Sequence, residues 1–265
     1  MKTSIISRLL VAAALAGGTL MMPLRAGAAD FAVSPVIIKL HPKSRSELIT
    51  LLNKDNQPLR FQLSAFSWTQ GPDGQMVQTP TDDVIFFPQL FEVPAHEAQK
   101  IRVGIMTPAA EVEKTYRLTI RQLKPFARKT NAGIEIMVLV NLSLPIFGEP
   151  ATGAAVGRID ALKIDDGTLT VAVGNAGNEH LQAASIAVEG LGGAQTLFKL
   201  KSNGGYVLAQ NSRNFRLELP ADKCHGLTRL KVSVNTVSTV LRSEVAANPT
   251  LCISAKGRWF ARASH

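Results

Sequence analysis

The chain has 265 residues, of which 46% are hydrophobic and 6% aromatic, and it carries 29 Lys and Arg against 20 Asp and Glu for a net charge of +9. Without residues 1–28 the net charge falls to about +6, within the range of ordinary soluble domains. The basic residues are dispersed rather than gathered in a patch, which argues against a nucleic-acid partner.

Lys2 and Arg8 give the chain a basic start, LLVAAALAGGTL follows as an apolar stretch, and AGA ends at Ala28 as a small-residue cleavage site. This pattern predicts a secretory signal over residues 1–28, removed near Ala28, and hence an exported protein. No later run reaches the roughly 18 uninterrupted apolar residues that a spanning helix needs. About 237 residues remain, enough for two domains of about 115 each.

From Phe31 onward the pattern is one of short alternating runs between turn residues: FAVSPVIIKL, SELITLLN, PLRFQLSAFSW, IFFPQLFEVP, QKIRVGIM, TYRLTIRQL and GIEIMVLVNLSLPIF. Their number and spacing predict an immunoglobulin-like β-sandwich over residues 29–149. PAAEVEK is the one stretch expected to form a helical turn. In the last run Ile134, Ile136, Val138, Val140, Leu142 and Leu144 alternate, so one face of that strand needs an apolar cover.

GEPATGAAVG, rich in Gly, Pro and Ala, is the expected boundary. The strand pattern then restarts and predicts a second sandwich over residues 150–265, so the fold class is all-β, with two immunoglobulin-like domains. SNGG and NAGN read as hairpin or loop chemistry, and Asp165 and Asp166 before Gly167 as a hairpin-like turn. Cys224 and Cys252 are the only cysteines. In an oxidising compartment such a pair is expected to bond, closing a loop that stabilises by roughly 3 kcal/mol.

Catalytic constellations are absent from the sequence. His41, His96, His180, His225 and His265 are scattered without a second ligand at metal spacing and read as ordinary surface or turn residues. There is no G-x-S-x-G or H-E-x-x-H, and GLGG lacks the Lys and helix of a phosphate loop. The expectation is a protein that is not an enzyme, takes no metal or cofactor, and has no small-molecule substrate.

Strand parity singles out basic residues instead. Ile101, Val103 and Ile105 form one face of their strand, which puts Arg102 on the other; Tyr116, Leu118 and Ile120 likewise leave Arg117 and Arg121 outward. An outward Arg is ordinarily solvated, but near a cleft between two sandwiches its forked donors suit a carboxylate.

LITLLNKDNQPLRFQLSAFSW, FFPQLFEVPAHEAQKIRVGI, EKTYRLTIRQLKP and GIEIMVLVNLSLPIFGEP follow one another in an order and spacing that resembles the periplasmic pilus-assembly chaperones of the chaperone–usher pathway, the PapD-like proteins. LTVAVGNAGNEHLQAASIAVEG is similar to the opening of that family's second domain. The resemblance implies two immunoglobulin-like domains joined at an angle, working in the periplasm with pilus subunits and an outer-membrane usher as partners. It implies that Ile134, Ile136, Val138 and Val140 are donor residues, filling the open groove of a subunit by strand addition.

The family also anchors the subunit's C-terminal carboxylate with two basic residues in the inter-domain cleft, and near Ile37 and Leu144 to Pro145 this sequence has none. YRLTIRQL and SLPIF are more similar to the archaic branch, and Arg102 and Arg117 become the expected anchoring pair, with Lys39 a third candidate. The rival reading is an exported immunoglobulin-like adhesin or pilus structural protein.

Overall fold

The computed structural model describes residues 30–124 and 138–252, and among them it is built almost wholly of strands. Two sheets form the first domain. One has the order β1 (Phe31–Ser34), β3 (Ser46–Asn53), β8 (Ala98–Ile105) and β6 (Val84–Phe87). The other has the order β2 (Ile38–Leu40), β10 (Asn141–Gly148), β9 (Lys114–Leu123), β4 (Leu59–Gln70) and β5 (Met76–Pro80), with β7 (Leu90–Val93) also pairing β4. Inward residues at alternate positions, among them Ile49 and Leu51 of β3, Ile101 and Val103 of β8, Phe61 and Leu63 of β4 and Leu118 and Ile120 of β9, interleave into one core.

Two runs that read as single strands are each divided between the sheets. FAVSPVIIKL becomes β1, which pairs with β3, and β2, which pairs with β10 in parallel. IFFPQLFEVP becomes β6, which pairs with β8, and β7, which pairs with β4. Proline explains both breaks: Pro35 and Pro88 have no N–H to give to a ladder, and both follow cis peptide bonds. PAAEVEK is not helical. Its backbone bonds instead to the second domain, Glu113 N–H donating to the Asn178 carbonyl at 2.9 Å.

The second domain packs β11 (Gly157–Asp165), β12 (Thr168–Asn175) and β15 (Asn211–Glu218) against β14 (Gln195–Val207), β13 (Leu181–Gly192), β16 (Arg229–Thr236) and β17 (Val240–Ala246). Its core is separate from the first, with Leu169, Val171 and Val173 facing Ile186, Val188, Val232 and Val234. Asp166 and Gly167 turn the β11–β12 hairpin with φ of 47° and 77°, the left-handed values that a tight primed turn demands. SNGG is not a turn: it lies within β14, where a Cβ on Gly204 would sit 2.0 Å from the Ala183 carbonyl oxygen. Cys224 and Cys252 form a disulfide between a short 3-10 turn after β15 and another after β17.

Tyr116 is buried, and its hydroxyl donates to Asp83 Oδ2 at 2.8 Å. Burial is the main reason its pKa is pushed up to about 12; the neighbouring Thr107 side chain works against the rise, and Asp83 adds to it. The folded state therefore holds this proton at pH values where the unfolded chain has lost it. The stability this represents is complete below pH ~10 and is lost as the pH rises to ~12, at up to about 1.4 kcal/mol per pH unit. Denaturant titrations of the wild type and Tyr116→Phe across pH 9 to 12 should show a shallower decline in the variant.

Candidate functional site

The second domain covers one end of the outer face of the β2–β10–β9–β4 sheet. Trp68 of β4 and Phe147 of β10 have the parity of outward residues, yet both are buried, packed with Leu208, Tyr206 and Ile37. His180 stacks on Phe147 with ring centroids 3.7 Å apart and a 17° interplanar angle, and Tyr206 meets Trp68, Phe147 and His180 edge-on. These aromatic contacts join the two domains around a small apolar centre.

Two polar clamps flank it. Gln70 donates to the Tyr206 carbonyl at 2.9 Å, Asn211 donates back to the Gln70 carbonyl at 3.1 Å, and Arg216 pairs with Asp73 at 3.2 Å. On the other side Glu113, whose side chain is 1% exposed, accepts from the backbone N–H of His180 at 3.0 Å and from its Nδ1 at 2.9 Å. Asn178 donates to the Glu111 carbonyl at 2.8 Å. A carboxylate accepts only, so the His180 proton sits on Nδ1.

Arg117 projects from β9 into this cleft. Only 9% exposed, its guanidinium lies over Trp68, 4.3 Å from the ring, and donates from Nη1 to the Ser143 carbonyl at 3.3 Å. Its Nε–H has no hydrogen-bond acceptor, and no carboxylate pairs with it among the described residues. Burial lowers its pKa from the ordinary guanidinium value, an effect that Tyr206 partly offsets. The Tyr206 phenol in turn is raised by burial and drawn back down by the charges of Arg117 and Lys39. Lys39, on β2 and paired in register with Phe147, thus stands at the same cleft, where it bonds Glu149 at 3.3 Å.

The structure does not bring Arg102 and Arg117 together. Arg102 lies on β8, in the other sheet, and faces away from the second domain, with Nη1 on Ser46 Oγ at 3.2 Å. Parity places both arginines outward; strand pairing puts those outward faces on opposite sides of the sandwich. At the cleft the structure brings Arg117 together with Lys39, and Arg213 of the second domain also reaches it, donating to the Tyr206 carbonyl at 3.1 Å.

Of the donor residues, Ile134 and Ile136 lie outside the described residues. Val138 is 49% exposed and Val140 is half-buried, its N–H and C=O both bonded to Gln122. Farther along the row Leu142 packs at the core's edge, and Leu144 is fully inside it. The apolar row therefore enters its own core at its downstream end and leaves it upstream. β2 pairs with Ile146–Gly148 of β10, so among the described residues Asn141 to Pro145 have a ladder partner on one side alone, β9.

Sequence reasoning missed His180, Glu113, Trp68 and Tyr206. His180 is no ordinary surface residue, since its side chain is 11% exposed and fixed between Phe147 and Glu113. An outward-parity Trp in RFQLSAFSW was the available signal, because a large aromatic on an outer face needs a cover.

Two β-sandwiches thus meet at an aromatic cleft that holds a buried cation with no carboxylate partner among the described residues. Residues 25–154 match the family described as "Pili and flagellar-assembly chaperone, PapD N-terminal domain", and this first domain belongs to that family of non-enzymatic PapD-like chaperones. No curated protein matches the sequence. Among solved structures, the chain is similar to one in the CsuC–CsuE chaperone–tip adhesion subunit complex from archaic Csu pili of Acinetobacter baumannii, with a TM-score of 0.57, 17% identity, and coverage of 82% of this chain and 98% of that one. It is also similar to the YadV chaperone (TM-score 0.55, 13% identity, 82% and 100% covered). A third likeness is to the Salmonella enterica complex of SafA pilin with the SafB chaperone (TM-score 0.53, 14% identity, 83% and 98% covered). At these identities the likeness is one of fold.

Removing the Glu113 carboxylate leaves the His180 N–H groups without their acceptor, a loss of about 1–3 kcal/mol in domain docking. Glu113→Ala should therefore expose the 149–156 linker to protease severalfold faster than in the wild type, with each domain's core still folded by circular dichroism.

Proposed function

We propose that the protein is a periplasmic chaperone that holds a pilus subunit by strand addition along β10 and the residues leading into it, then passes the subunit to an outer-membrane usher. Arg117 and Lys39 seat the subunit's C-terminal carboxylate. The observation that carries this reading is the buried Arg117 guanidinium with an acceptorless Nε–H and no acidic partner. A charge so placed needs an anion, and charge-assisted bonds to a carboxylate are its natural complement.

The strand register supports this reading. The free side of β10 runs from Asn141 to Pro145 and ends where β2 begins to pair at Ile146. Arg117 is the cross-strand partner of Pro145, and Lys39 of Phe147. A strand added here in line with β2 runs parallel to β10, and its carboxyl end stops beside Arg117 and Lys39. Its side chains meet the row that includes Val138 and Val140, with Ile134 and Ile136, which lie outside the described residues, continuing it in the sequence. Lys39 reaches the carboxylate by exchanging it for Glu149.

Two experiments test this. A peptide copying the last strand of a subunit should bind about 10- to 100-fold more weakly as the C-terminal amide than as the free acid, a factor matching the 1.5–3 kcal/mol of a charged hydrogen bond. Arg117→Met, which keeps the packing on Trp68, should erase that preference; an unchanged preference would sink the anchor. Val138→Asp should remain folded yet no longer co-purify with a subunit, and retained co-purification would remove Val138 from the donor row.

A further inference from the structure

Among the described residues, nothing covers the opposite outer face of the first domain. Val84, Phe86, Ile101, Val103, Ile49 and Leu51 turn inward, so their alternates form a sheet surface in which Phe87 of β6, Arg102 of β8 and Leu48 of β3 make one cross-strand row. Phe87 is 76% exposed, Ile85 53%, Leu48 42% and Leu52 37%. β6 is the edge strand of its sheet. Edge strands are ordinarily blunted by charges, yet here the edge presents Ile85 and Phe87 to solvent.

Among the described residues, the charged side chains that the strands themselves put on this face are Lys100 and Arg102. Neither pairs with a carboxylate among the described residues, and the Arg102 bond to Ser46 Oγ holds its guanidinium in the row with Phe87 and Leu48.

We propose that this face docks a second protein, distinct from the subunit held at β10, through an apolar surface rimmed by carboxylates. Charge identifies the occupant. A second copy of this chain packing through the same face would bring no carboxylate to Lys100 and Arg102. Two cations are too few to hold a protein on an anionic bilayer. An exposed aromatic beside an ordered arginine is the composition of an interface anchor. Because the face belongs to the β1–β3–β8–β6 sheet, a sheet's thickness away from β10, both sites can be filled at once. The inference does not depend on what β10 binds.

The test places a photoreactive phenylalanine analogue at Phe87 of the full chain, in cells that make its own subunits, and analyses the adducts by mass spectrometry. The expected result is a cross-link to a different protein through a peptide containing Asp or Glu. Its yield should drop at least tenfold with Lys100→Glu and Arg102→Glu combined, at an unchanged melting temperature, and should persist with Val138→Asp. No adduct, an adduct to a second copy or to lipid, an adduct indifferent to charge reversal, or one that disappears with Val138→Asp would each overturn the proposal.

Discussion

A buried guanidinium without an anion is the constraint on which the cleft depends. Arg117 surrenders most of its hydration on the face of Trp68, and burial weakens its hold on its proton. A charge in such a place is tolerated only where surrounding groups keep it oriented and where the structure holding it is stiff. The stiffness comes from the domain interface: stacked His180 and Phe147, edge-on Tyr206, and polar clamps through Glu113 and Gln70. The second domain thus forms the other wall of the Arg117 site.

The half-paired strand beside that charge follows from one proline. Pro35 ends β1 in one sheet, and the chain resumes as β2 in the other, too short to cover more than the last three residues of β10. What remains of β10 is a strand with one free side, an arrangement that ordinarily invites pairing with another chain. Under the proposed function, that side ends at Arg117 and Lys39, so an incoming strand would find a stop as well as a ladder, with strand addition supplying affinity along the backbone and the charge fixing where the strand ends.

Much of the fold was legible because strand alternation is local. The inward residues of β3, β8 and β9 could be read from parity, as could the Asp166–Gly167 turn. The divisions at Pro35 and Pro88 were signalled by the prolines themselves, although the runs read as continuous. SNGG misled because glycine serves close approach as well as turning, and Gly204 is needed against Ala183 within a strand. PAAEVEK misled because its backbone partner, Asn178, lies in another domain.

The site was legible only in part, for the same reason. Parity finds that Arg102 and Arg117 both point outward but says nothing of which sheet each belongs to, and that is decided by pairing between distant strands. Glu113 and His180 are 67 residues apart, beyond any local pattern. The central claim is that Arg117 Nε–H awaits a carboxylate, and its most direct test is nuclear magnetic resonance of arginine-labelled protein titrated with a peptide from a subunit's C-terminal strand. The Arg117 Nε–H resonance should move downfield on binding of the free acid and stay in place with the amide. A resonance that ignores the free acid at saturation, or that responds equally to both, would contradict it.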